Sequence, residues 1–201
     1  MGCASGFFLV EARERGWDGV GVDVAPAMTA VARERFGLGA RTGTFASAPL
    51  DGSFDLVTMW DYIEHATDPV ADLRRAAASL RPGGVLALST GDAGSASARI
   101  MGSRWHLLTP HHHNFFFRRS DLRRLLSEAG LATVETAAWP RWASIGYLVY
   151  KLGAVAPSSR AVRAVAGAIR ESRVGDLAVP VNLFDVVTIV ARKPPGGPGT
   201  G

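Results

Sequence analysis

The sequence predicts an α/β fold on a mostly parallel sheet, and three observations point there. Short β-branched runs alternate with segments of helical period along most of the 201 residues. A glycine-punctuated turn, "MGCASG", runs straight into an amphipathic segment. An acidic residue, Asp23, ends the first strand-like run, 17 residues after Gly6. With 47% apolar and 20% charged residues the composition is that of a globular chain with a sizeable core, expected as one domain over residues 1 to 193.

In chain order, "GVGVDV" (19 to 24) reads as a strand. Pro26 fits the first turn of a helix that places Met28, Val31, Ala32 and Phe36 on one face. "FDLVTMWD" (54 to 61) is the next apolar strand. The helix after it carries an inward stripe of Val70, Leu73, Ala77 and Leu80 and is closed by "RPGG". "VLALST" (85 to 90) is a third strand, after which the period stops, and residues 95 to 117 read as a lid-like loop rich in serine, aromatics and histidine. Ser120 is expected to cap a helix bearing Leu122, Leu125, Leu126 and Ala129, ended by Gly130. "LATVETAAW" reads as a strand and residues 139 to 180 as an insertion with a helix-like "SSRAVRAVAGAIRESR". "NLFDVVTIVARK" is the last strand, and residues 194 to 201 form a tail expected to be disordered.

Charge and hydropathy exclude several functions. The pI is near 9.8, but the net charge is only +4 and the arginines are dispersed over helix faces without interleaved stacking aromatics, so no nucleic-acid partner is expected. No apolar run reaches the roughly 18 to 20 residues of a membrane span, so stable insertion is not expected. A lone cysteine, Cys3, leaves no disulfide framework, and the first residues have neither the basic nor the apolar region of a signal peptide, which favours the cytoplasm.

A glycine turn between strand and helix lets a ligand approach the backbone and aims free helix N–H groups at it. A carboxylate ending the next strand can accept from both hydroxyls of a ribose. Any α/β turn can carry two glycines, but the pairing with Asp23 points to a nucleoside-containing ligand. "GCASGFF" supplies G-x-A-x-G rather than G-x-G-x-x-G, which disfavours a nicotinamide dinucleotide.

These motifs resemble the class I S-adenosylmethionine-dependent methyltransferases, and among them the small-molecule group similar to ubiquinone and polyketide methyltransferases. "MGCASGFF" is similar to that family's glycine loop, V-G-C-G-x-G-x-F, with Ala4 at the middle glycine. "GVGVDVAPAM" resembles its second strand and ribose-binding acid, and "DGSFDLVTMWDYIEHATDP" its fourth strand and following turn. "LRPGGVLALST" resembles the fifth strand, "HHNFFFRRSDLRRLLSEAGL" the end of the lid with its helix, and "NLFDVVTIVARK" the closing antiparallel strand. The resemblance implies a Rossmann-like, doubly wound sheet of seven strands with insertions after the fifth and sixth, and S-adenosylmethionine at the carboxyl ends. On it, Gly2, Cys3, Ala4 and Gly6 wrap the methionine part and Asp23 holds the ribose. Trp60 and Asp61 border the transferring methyl, and Thr44 and Phe45 stand by the adenine. It also implies a first strand ahead of Met1. Without that strand the sheet is expected to show two unpaired edges across an apolar gap, and this chain to be poorly stable or inactive.

Methyl transfer to a hydroxyl needs a positioned acceptor and removal of its proton. Three histidines are candidates: His65, either a base beside Glu64 or a cap for the following helix; His106 in the lid; and His112, by the family pattern, within the run His111 to His113. Adjacent histidines point apart and no cysteine accompanies them, so no metal is expected. Trp105 and Phe115 to Phe117, with Trp139, Trp142, Tyr147 and Tyr150, either pack under the lid or line a pocket for a sizeable, partly apolar small molecule. Cys3 has no base partner near it in sequence and is expected to pack against the cofactor rather than react. The expected function is methyl transfer from S-adenosylmethionine to a small-molecule acceptor, with O-methylation favoured. The alternative is a non-catalytic remnant or protein-binding module of the same fold.

Overall fold

The computed structural model describes residues 1–50, 53–155, 164, 167–169 and 172–195. The chain begins on a turn in which Gly2, Ala4 and Gly6 all take positive φ (62°, 44° and 86°), and α1 (Phe7–Glu14) starts from Gly6. β1 (Val20–Asp23) leads through α2 (Pro26–Phe36) to β2 (Gly39–Thr42), and the two strands pair in parallel with Asp23 opposite Thr42. Pro26 sits in the first turn of α2, and Gly37, at φ 61°, ends it. The inward residues of α2 are Thr29 and Ala32, whereas Met28 and Val31, expected on one stripe with Ala32, stand exposed. Only a small cluster with Leu38 and Ala40 lies beneath this helix, so its apolar stripe finds little to cover.

The larger sheet holds most of the core. β3 (Phe54–Trp60) passes through α3 (Pro69–Ser79) to β4 (Leu80–Gly91), in parallel. Asp68 caps α3 by accepting from the Ala71 N–H (2.9 Å), and Leu73, Ala76 and Ala77 are its buried face. The sequence places Leu80 on that stripe and "RPGG" as a closing turn; instead Leu80 opens β4 and the register with β3 shifts across "RPGG", so this stretch is a bulged strand start. The lid region is partly regular, with α4 (Ala96–Met101) and a short 3-10 turn, Gly102–Arg104. α5 (Arg119–Glu128) begins one residue before Ser120, and Arg118, not Ser120, stands at the cap, its N–H bonded by the Asp121 carboxylate at 3.3 Å. β5 (Ala132–Ala137) follows.

The second insertion forms a two-stranded antiparallel unit, β6 (Arg141–Ser144) and β7 (Ala178–Val181), with α6 (Ile145–Val155) and a 3-10 turn at Arg173–Asp176 between them. The helix expected over 158 to 173 lies largely outside the described residues, and so does the tail from 196. β8 (Val186–Arg192) enters antiparallel between β4 and β5, giving the order β3-β4-β8-β5. Its Val187, Ile189 and Ala191 meet Met59, Leu86, Leu88, Leu122 and Leu126 in the main core. No helix among the described residues is long and apolar enough to cross a membrane.

In place of the seven-stranded sheet implied by the resemblance, the strands fall into separate sheets. Among the described residues nothing pairs with the free edges of β1 and β3, and between them lies a cavity of about 440 Å³ lined by Leu9, Val20, Val22, Leu56, Val57 and Trp60. This is the apolar gap expected from the sequence. Its mouth is spanned by the first residues: the Met1 ammonium donates to the Thr58 carbonyl on β3 (2.7 Å), and the Cys3 N–H to the Val22 carbonyl on β1 (3.1 Å).

Candidate functional site

The carboxyl ends of β1 and β3 open toward the turn at residues 2 to 6; β1 ends in Asp23, and Asp61 directly follows Trp60 at the end of β3. The Asp23 carboxylate accepts from the Ala4 N–H (2.8 Å) through one oxygen and from the Ala25 N–H (2.9 Å) through the other. It thereby holds the glycine loop and the start of α2 together while each oxygen retains a lone pair. The Gly6 N–H donates to the Cys3 carbonyl (2.8 Å), and a Cβ on Gly6 would meet Leu38 at 2.6 Å, so the turn closes only with glycine there. Gly6 at the start of α1 has no side chain to cap it and none among the described residues does, which leaves the first N–H groups of the helix for a ligand. Gly2, Ala4 and Gly6 thus offer main chain to the cleft.

The remaining loop and adenine candidates divide. Cys3 turns its side chain onto β1, where a Cβ on Gly21 would lie 2.6 Å from Sγ, and burial pushes its thiol pKa up. Burial thus holds the thiol toward its protonated form, packed on β1. Thr44 is exposed just past β2, its hydroxyl 2.9 Å from that of Ser47. Phe45 corrects the sequence reading: it is 1% exposed, packed in the core with the Arg75 guanidinium 5.4 Å from its ring, and has no face to offer an adenine. Trp60 sits edge-on to Phe8 (6.0 Å) along the wall of the inter-sheet cavity, its buried Nε1 without a partner among the described residues.

Asp61 leaves β3 at φ 47° and is fixed by β4: its N–H donates to the Ser89 carbonyl (3.0 Å), and the Ser89 hydroxyl donates to its carboxylate (3.1 Å). The 3-10 turn Ile63–His65 follows, and the end of the lid clamps it. The Asn114 and Phe115 N–H groups both donate to the Glu64 carbonyl (2.8 and 3.1 Å), and the Asn114 side chain donates to the His65 carbonyl (3.0 Å). His65 Nδ1 lies 2.6 Å from the His112 carbonyl and His113 Nδ1 3.1 Å from that of Leu107. A carbonyl only accepts, so each Nδ1 carries the proton and each Nε2 has the lone pair when the ring is neutral.

The residue of the histidine run whose ring meets His65 is His113, at 4.9 Å and 77°, and not His112, which contributes its carbonyl and leaves its ring exposed. Burial, with His65 beside it, lowers the His113 pKa. Glu64 is 3% exposed, its carboxyl pKa is raised by burial, and Oε2 has no partner among the described residues. One ligand atom from each of Glu64, His65 and His113 lies within 4.8 Å of the others, a set able to hold a divalent ion. The sequence reading expected no metal because His111 to His113 are adjacent; the fold uses one of the three and sets it against two residues of the turn after β3.

His106 is engaged elsewhere. Its Nδ1 is 3.5 Å from a carboxylate oxygen of Asp185, the same oxygen that accepts from Trp105 Nε1 (2.9 Å), so this pair latches the lid to the start of β8. Trp105 and Phe117 are buried packing residues, while Trp139, Trp142, Tyr147 and Tyr150 are exposed. Sequence reasoning named the run His111 to His113 but favoured His112 within it, and it missed Ser89, Asn114 and Asp185. Asn114, a lone amide between histidines and phenylalanines, was the visible signal among them.

A family model described as a methyltransferase domain matches residues 1–136. A ubiquinone biosynthesis O-methyltransferase of Xanthomonas euvesicatoria pv. vesicatoria (strain 85-10) is 31% identical over 144 residues, 65% of this chain and 60% of the relative. The chain thus spans about 60% of the length of the curated relatives it matches. A SAM-dependent methyltransferase of Thermotoga maritima, described as a possible histamine N-methyltransferase, aligns with a TM-score of 0.60 at 22% identity, over 96% of this chain and 79% of that one. Magnesium protoporphyrin IX methyltransferase of Synechocystis PCC 6803, solved with bound SAH, aligns with a TM-score of 0.61 at 15% identity, over 96% and 71%. Both share the α/β architecture of a mixed sheet flanked by helices.

Proposed function

Since the chain belongs to the methyltransferase-domain family, of the class I S-adenosylmethionine-dependent type, we propose that it moves a methyl group from S-adenosylmethionine to a hydroxyl of a partly apolar small molecule. One observation carries this reading: a glycine loop closed by Asp23 and a pair of histidines with oriented Nε2 atoms stand at the same end of the strands. The cofactor supplies, when bound, an electrophilic methyl on a sulfonium. The residues present fit it: the loop offers unobstructed main chain, α1 offers free N–H groups to a carboxylate, and Asp23 keeps lone pairs for ribose hydroxyls. Asp61, held by Ser89, offers a carboxylate to the amino group of the methionine part.

With the cofactor bound, Nε2 of His113 would accept the hydroxyl proton of the methyl acceptor, and His65 orders the ring beside it. The base favours oxygen over nitrogen as the acceptor atom, and the likeness to the Xanthomonas O-methyltransferase supports the same choice. We place the activity on one domain, residues 1 to 193, in the cytoplasm, where the lone Cys3 thiol stays reduced.

Calorimetric titration of S-adenosylhomocysteine, followed by transfer of labelled methyl to a panel of phenols and amines, tests the reading. Saturable binding that falls at least tenfold in Asp23→Ala, with label on phenols, is the expected result. No binding would leave the non-catalytic alternative in front, which the non-glycine Ala4 and the divided sheet favour.

A further inference from the structure

A second cleft lies beyond β4 and shares no lining residue with the site above. It has a volume of about 610 Å³ and opens between the turn after β4 and the first turn of α5, with Asp92, Arg99, Arg118, Arg119, Ser120 and Phe184 on its walls. Its floor is built. Asp92, 3% exposed, accepts from the Gly94 N–H (2.9 Å) and from Arg119 Nε (2.6 Å), and its own N–H donates to the Asp185 carbonyl (2.8 Å). Arg119 also reaches the Phe184 carbonyl at 3.3 Å.

One carboxylate therefore answers one guanidinium, and two guanidiniums remain. Arg99 arrives from α4 and Arg118 from the cap of α5, and neither has a carboxylate partner among the described residues. Like charges gathered in one concavity repel unless an anion lies between them. The first N–H groups of α5, at Arg119 and Ser120, have no acceptor within the helix and open on the same wall. Planar guanidinium forks match tetrahedral oxyanions with two N–H···O bonds each. Phe184, exposed at the rim, adds an apolar edge for the body of a ligand.

The cleft opens at Asp92, three residues past Ser89, and so lies at the same carboxyl end of β4 at which Ser89 fixes Asp61. We propose that this cleft binds a phosphate-type oxyanion carried by the methyl acceptor, through Arg99 and Arg118. That assignment of the oxyanion to the acceptor rests on the methyltransferase reading; the oxyanion site itself does not.

The test titrates inorganic pyrophosphate into the whole chain, the double variant Arg99→Ala/Arg118→Ala, and a control of equal charge, Arg123→Ala/Arg124→Ala, on the outer face of α5. Saturable binding that falls at least tenfold in the first variant and is kept in the control is expected, with S-adenosylhomocysteine affinity unchanged in both. Absence of saturable binding, or equal loss in the two variants, overturns the proposal. If S-adenosylhomocysteine does not bind while pyrophosphate does, the methyltransferase reading fails and the oxyanion site stands. Cosedimentation with phosphatidylglycerol but not phosphatidylcholine vesicles, dependent on Arg99 and Arg118, would assign the phosphate to a lipid headgroup; none would assign it to a soluble acceptor.

Discussion

Asp23 does two jobs with one carboxylate. It ties Ala4 to Ala25 and presents its remaining lone pairs to the cleft, so an amide in its place loses the charge and half of the acceptor capacity. A hydrogen bond to a charged group contributes about 1.5–3 kcal/mol. Asp23→Asn should therefore weaken S-adenosylhomocysteine at least tenfold by calorimetry. At His113 the prediction concerns rate: His113→Gln keeps a similar size but removes the base, and kcat should fall about 100-fold with cofactor affinity unaltered. Because burial lowers the His113 pKa from 6.5, its neutral, base-competent form persists below that value. The acid limb of a kcat profile should accordingly lie below pH 6.5, and any stability this residue contributes is present above 6.5 and lost as pH falls through its lowered pKa. Glu64 has the opposite sign. Its pKa is raised by burial, so its contribution is full below about 4.5, its ordinary value, and is lost as pH rises through the folded value. Glu64→Gln should raise the Tm at pH 7 and leave it unchanged at pH 4.

At the scale of elements, α5 is the clearest case of sequence turned into packing. Leu122 and Leu126, one turn apart, are both fully buried against β8 and Leu131. Leu126→Ala should cost about 2–5 kcal/mol in denaturant unfolding. A helical repeat marks α3 as well, and short apolar runs mark β3 and β4; all were legible because burial imposes a pattern on the sequence. The departures arise where no repeat operates. Ser120 is a better cap than Arg118 by residue type, but the Asp121 carboxylate reaches the Arg118 N–H and fixes the start there. "RPGG" carries every sign of a turn, yet the β3–β4 ladder continues past it through a shifted register. Phe45 follows β2 where an adenine contact belongs, but its size and the nearby Arg75 draw it into the core. Of the site, the glycine loop with Asp23 was readable, since its chemistry lies in local spacing. The choice of His113 over His112 was not, because it depends on which way a turn in the lid rotates toward a segment distant in sequence.

For the whole molecule, the division of the sheet decides where stability resides. β8 is paired on both sides within the main core, whereas β1 has β2 on one side and a cavity on the other. Local opening free energy follows such differences in contact. Amide exchange should be slowest in β4 and β8 and fastest in β1 and β2, measured by mass spectrometry on peptides from each. The two halves also divide the proposed site: Asp23 and the glycine loop belong to the β1–β2 side, Asp61, His65 and His113 to the other. A cofactor reaching from one to the other acts as a brace across the seam. Its binding should slow exchange in β1 and β2 more than in β4, and a saturating excess of about 100 times Kd should add about 2.7 kcal/mol to the unfolding free energy by mass action. In engineering terms, the distance between donor and acceptor is here an adjustable length, set by how tightly the seam is drawn. Substitutions lining the gap, far from any reacting atom, become the means of tuning turnover.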